Sequence, residues 1–258
     1  MKFGDLTYEE IKVHAEAGAL AVVPTGCTEQ QGPHLTVDND TWFADTVCVS
    51  AAERAKEKHG LDVIVLPVSP FGPTPEHRDF GSGFVDIPEK LHQDLVAATL
   101  KSLADQGFKK IVVWRGCGQH RLDGVVDGFN STQTGNVTAY LPAHPYHDIW
   151  MKHGDSRDAG GHADSFITAI ALYLRPDSVR KDKIVESGFK PVNWNDANLN
   201  FAEYSPNGVI GTPVYATAQL GRILWHEVVE FAVDVFKRIS EDSDCPTRAC
   251  SRRPKGRG

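Results

Sequence analysis

The sequence predicts a single α/β domain in three layers, with a mostly parallel central sheet covered by helices. Three observations point there. Residues 19–23, 63–68 and 110–114 are short, continuous apolar runs, the pattern of strands buried on both faces. Each run ends in a polar loop rich in Gly or Pro. Between the runs, apolar residues recur at helical spacing.

Taken in order, Thr7 and Glu10 have the spacing of a capping box, so a helix is expected to about residue 17, where Gly18 ends it. The first strand, 19–23, is broken by Pro24 and Gly26. A helix follows over 41–58, with Trp42, Phe43, Val47, Val49 and Ala52 as its apolar positions and Gly60 as its stop. After the second strand, residues 69–88 form a long irregular stretch with three Gly and four Pro, the kind of loop that is functional when it occurs inside a compact domain. A helix over 89–106, the third strand with a Gly-rich turn and a helix after it, a fourth strand over 137–141, a helix over 165–174 closed by Pro176, and a last helix over 222–239 complete the series. The domain is expected to span residues 1–240. Residues 241–258, basic and carrying Pro and Gly near their end, are expected to form a disordered tail.

The composition narrows the function. A chain of 258 residues that is 41% hydrophobic can bury a sizeable core. A net charge of -7 argues against nucleic acid as a partner. No apolar run approaches the length of a membrane span, and the N-terminus lacks a basic, then apolar, leader. The five Cys lack framework spacing, so a reducing, cytoplasmic setting is expected.

Chemistry concentrates where strands end. The loop after the first strand carries Glu29, Gln31, His34, Asp38 and Asp40. Glu29 and Asp40 are carboxylates able to hold a divalent metal, although Asp40 taken alone reads first as a helix cap. The third strand runs into Arg115-Gly116-Cys117-Gly118-Gln119-His120. Cys117 is a legitimate thiolate ligand or a small buried residue, and His120 is a ligand or a helix-start residue. His144, His147 and His153 fall in 143–161, a further candidate pocket lining. Gln31 binds metal poorly but can orient a carbonyl through its amide.

These motifs resemble the creatininase (creatinine amidohydrolase) family. Its signature, Pro-x-Gly-Ser-x-Glu-Gln-His-Gly-Pro-His-Leu-Pro, is matched by residues 24–36, which read PTGCTEQQGPHLT. Glu76-His77, the Gly116-Cys117-Gly118 turn, Gly161-His162-Ala163 and residues 207–221 match four further motifs in order, between about residues 13 and 240. The resemblance implies an α/β metal-dependent hydrolase whose metal-activated water opens a small cyclic substrate, a cyclic amide or a related carbonyl compound. It implies His162 and His34 as catalytic residues, with His162 moving the proton. Glu29, Asp40, Cys117 and His120 are the implied metal ligands, and Gln31, Glu76 and His77 the substrate contacts. Three positions depart from the family: Gln31 and Cys117 each stand where it has a ligand His, and Ile167 stands where it has Glu. One divalent ion rather than two is therefore expected, zinc first, manganese or iron as alternatives. A homo-oligomer, a hexamer by resemblance, is also implied. Two rivals remain: a metal-free small-molecule-binding homologue, and a ring-opening hydrolase of a cyclic sugar-derived ketone or lactone.

Overall fold

The computed structural model describes residues 1–133, 136–144, 146–154 and 161–242. Its core is a four-stranded parallel sheet in the order β2-β1-β3-β4, where β1 is Leu20–Thr25, β2 Val63–Val65, β3 Lys110–Arg115 and β4 Thr138–Tyr140. Between and after the strands run α1 (Tyr8–Glu16), α2 (Asn39–His59), α3 (Glu89–Asp105), α4 (Asp123–Thr132), α5 (Tyr146–His153), α6 (Ser165–Leu174) and α7 (Ala218–Ser240).

The expected three layers are present, and the strands show why their runs are continuously apolar. Leu20, Val22, Val63, Val65, Val112 and Trp114 face one core with α2, α5, α6 and α7. Ala21, Val23, Ile64, Ile111, Val113 and Ala139 face the other, with α1, α3 and α4. Side chains alternate across a strand, so a strand covered on both faces must be apolar at every position.

The Thr7–Glu10 capping box forms, and Gly60 ends α2 in the left-handed conformation. Helix α6 occupies the expected residues. Four details differ from the sequence expectation. β2, whose continuous apolar run reads as that of a central strand, is an edge strand. It stays buried because the N-terminus covers it: the Met1 ammonium donates to Val63 O, and Val65 N–H donates to Met1 O, both at 2.9 Å. Helix α2 starts at Asn39, so Asp40 lies inside its first turn and is not its cap. Helix α7 starts four residues early, because the Thr217 hydroxyl accepts from Leu220 N–H and caps it. The long loop also holds a 3-10 turn, Pro75–Phe80, which buries Glu76 and His77. The expected tail beyond residue 242 lies outside the described residues.

Candidate functional site

Adjacent β1 and β3 lead into loops that part at the carboxyl end of the sheet, with β2 on one side and β4 on the other. That is the switch point where open α/β sheets place their ligands. After β1 come Cys27, Glu29, Gln30 and Gln31; after β3 comes Cys117; the first turn of α2 adds Asp40. Gly116 allows this convergence. A Cβ there would lie 2.8 Å from Asp40 O and 2.9 Å from Thr25 O, so only glycine lets the β3 turn close against β1 and α2.

Above these residues opens a cleft of about 330 Å³. Its polar lining includes Glu29, Gln31, Asp40, Glu76, Cys117 and His162, and its aromatic lining Phe43, Tyr146, Trp150, Phe166, Trp194 and Phe201. An apolar cleft with few converging polar groups is the usual form of a small-molecule site.

The floor is crowded with acids. Cys27 Sγ–H donates to Glu29 Oε2 at 3.0 Å and lies 3.3 Å from Asp40 Oδ2. The Gln31 side-chain amide donates to Glu29 Oε1 at 3.2 Å and to Asp40 Oδ1 at 3.0 Å. One ligand atom from each of Cys27, Glu29, Asp40 and Cys117 fits within 4.8 Å of the other three. Cys27, Cys117 and His120 form an overlapping group, and Glu29, His77 and His162 a third. Both ring nitrogens of the fully buried His120 lack a partner. Thiols, carboxylates and an unpartnered imidazole at this spacing suit a divalent cation.

The electrostatics agree. Burial and the neighbouring Glu29 charge push Asp40 well above the usual carboxylate range. Burial raises Glu29 too, but His77 and His162 outweigh it and hold it at about 2. Burial works against protonated His77, yet Glu29, 3.3 Å from its Nε2, raises it above its ordinary value. His162 is brought down to about 4, mainly by burial and then by His77. Burial raises Glu76 to about 7.

Gln30, which the sequence reading passed over, orders the two imidazoles. Its amide nitrogen lies 3.0 Å from His77 Nδ1 and 3.3 Å from His162 Nε2 and donates to Gly208 O at 3.1 Å. His162 Nε2 is also 2.8 Å from Gln30 O, and Nδ1 is 3.4 Å from Glu29 Oε1. The next residue, Ala163, takes a φ of +51°, a left-handed conformation uncommon for alanine, where the chain turns from His162 into α6.

Glu29, Asp40, Cys117, His120, Gln31, Glu76, His77 and His162 are thus brought together. His34 is not. Its Nε2 lies 2.8 Å from Thr168 Oγ1, away from the cleft lining, and its backbone carbonyl accepts from Arg180 N–H. Its position fixes the loop against α6, outside the residues that line the cleft. Of the three other histidines singled out, His147 lines the cleft, His144 stacks on Tyr146, and His153 pairs with Glu227. Ile167 also lines the cleft. Cys27 was missed, although its place in the matched signature, where the family has Ser, was a usable signal.

A family model described as creatinine amidohydrolase (Creatininase) matches residues 4–236. The chain is 28% identical over 236 residues to the mycofactocin precursor peptide peptidase of Mycolicibacterium smegmatis, covering 86% of each sequence. It is 22% identical over 284 residues to the 3-dehydro-scyllo-inosose hydrolase of Thermotoga maritima, covering 98% of this chain and 89% of that one. Among solved structures, a Zn-Zn form of a creatininase variant superposes with a TM-score of 0.78 at 19% identity, over 95% of this chain and 98% of the other.

Proposed function

The chain belongs to the creatininase family of hydrolases, and we propose that it hydrolyses a small cyclic amide with the help of a divalent metal held at the floor of the cleft. The observation that carries this is the convergence of Glu29, Asp40 and Cys117 beneath an aromatic cleft that His162 also lines. A divalent ion held by these side chains would, when bound, supply a water nucleophile at neutral pH and a charge to polarise a carbonyl. The remaining tasks fall to the protein. His162, neutral because burial lowers it to about 4, presents Nδ1 toward Glu29 and carries the proton to the leaving nitrogen. Glu76, raised to about 7, offers a carboxyl that can donate to a substrate oxygen. The aromatic walls hold a planar ring and exclude water.

Zinc suits the thiol best, with manganese and iron as the other candidates. The free, buried Cys27, Cys48 and Cys117 support a reducing, cytoplasmic setting. A homo-oligomer, six chains by family resemblance, completes the reading. A second reading, cleavage of a peptide amide, is favoured by the 28% identity to a peptide peptidase. Opening of a cyclic sugar-derived ketone has the inosose hydrolase in its support.

The test is metal analysis of protein expressed with zinc and manganese supplied, followed by a screen of cyclic amides, short peptides, lactones and cyclic ketones. Asp40→Ala is expected to lose both metal and turnover. Near-zero metal in wild type and variant alike would leave the metal-free binding homologue as the better reading.

A further inference from the structure

We propose that Cys27 is a metal ligand, and that with Cys117 it makes this site a single, thiolate-rich centre in which the Gln31 amide stands where a second cation would otherwise sit. The proposal rests on the metal-dependent reading above and deepens it.

The thiol pair is common to two overlapping ligand groups, one completed by Glu29 and Asp40, the other by His120. Cys27 touches both carboxylates, at 3.0 Å from Glu29 Oε2 and 3.3 Å from Asp40 Oδ2. His120 is a second, independent indication. It is fully buried beside the thiols, and neither ring nitrogen has a partner. A buried imidazole left unpaired on both sides is costly unless something binds it.

The two carboxylates divide the floor into two sides. Their Oε2 and Oδ2 atoms face Cys27, and their Oε1 and Oδ1 atoms face the Gln31 amide. One –NH2 group carries two donor hydrogens, enough to serve both acceptors. It bridges the pair without a charge, and its nitrogen has no lone pair to give a metal. A cation therefore belongs on the sulfur side. The remaining group, Glu29 with His77 and His162, is held by Gln30, which contacts both imidazoles and leaves them oriented for hydrogen bonding. Two thiolates make the centre soft, so it selects zinc over manganese. Three protein ligands suffice for an open site, so the two thiolates with either His120 or one carboxylate can hold the ion.

Cobalt(II) is the probe, added to protein stripped of its metal. One cobalt per chain is expected, with a sulfur-to-cobalt charge-transfer band in the near ultraviolet. Cys27→Ser and Cys117→Ser should each cut that band about twofold, and zinc should displace cobalt where manganese does not. Should a serine variant fail to fold, X-ray absorption of the wild-type zinc protein decides: two sulfur neighbours at about 2.3 Å are expected. A band unchanged in Cys27→Ser, a single sulfur neighbour, or two ions per wild-type chain would overturn the inference while leaving a metal-dependent hydrolase intact. A wild-type chain that takes up neither cobalt nor zinc overturns the hydrolase reading itself.

Discussion

His162 Nδ1 and Glu29 Oε1 stand 3.4 Å apart at the base of the cleft, both side chains buried. On the other side of the ring, Nε2 donates to Gln30 O at 2.8 Å. With its proton on Nε2, the neutral ring turns the Nδ1 lone pair toward the carboxylate and the cleft, where in the proposed hydrolysis it would accept a proton and return it.

His162→Ala should therefore keep the metal and lose the rate. A fall in kcat of roughly 10²–10⁴-fold is expected, with unchanged metal per chain by elemental analysis. A variant that loses its ion along with its activity would instead make His162 a ligand.

Glu76 should make the metal-free protein less stable as pH rises. Its carboxyl is raised from an ordinary 4.5 to about 7, chiefly by burial. Below pH 4.5 it is protonated in both the folded and unfolded chain and contributes no difference. Between 4.5 and about 7 the unfolded chain ionises first, so stability falls through that window and levels off above it. The loss should be on the order of 3 kcal/mol. Denaturant unfolding of chelator-treated wild type across this range, compared with Glu76→Gln, measures it. Identical slopes for the two proteins would mean that Glu76 ionises freely in the fold.

Gly221 should tolerate no side chain. A Cβ at this position in α7 would lie 1.9 Å from Ala169 O and 2.4 Å from Ala169 C, both backbone atoms of α6. Relief requires moving one helix off the other, beside the segment that carries His162. Gly221→Ala should cost about 1–3 kcal/mol, read as a lowered thermal midpoint. A midpoint unchanged from wild type would show that α6 and α7 are less closely packed in solution.

Much of the fold is legible in the residues. The three apolar runs become three parallel strands because a strand covered on both faces can carry no polar position. Thr7 with Glu10, and Gly60, mark helix ends because capping and left-handed termination are local events involving a few neighbouring residues. Glu29, Asp40, Cys117 and His162 are singled out because they sit in stretches that match the family's motifs, at strand ends or helix starts. Helix α5 escapes detection because it is short and rich in His and aromatic residues, so its apolar face is only Ile149 and Trp150.

The sequence by itself determined the strands and most of the helices, and that polar loops follow the strands, because periodicity and turn chemistry act over a few residues. The order of the strands it did not determine. That order depends on how helices far apart in the chain pack across the sheet, and it alone sets β1 beside β3, bringing the loops with Cys27 and Cys117 face to face. The same packing turned His34 toward Thr168 and His162 toward Glu29, though both lie in matched motifs. It also placed the Gln31 amide between two carboxylates. A side chain's chemistry is written in its residue type, but its partner is decided by the three-dimensional neighbourhood that the whole core creates.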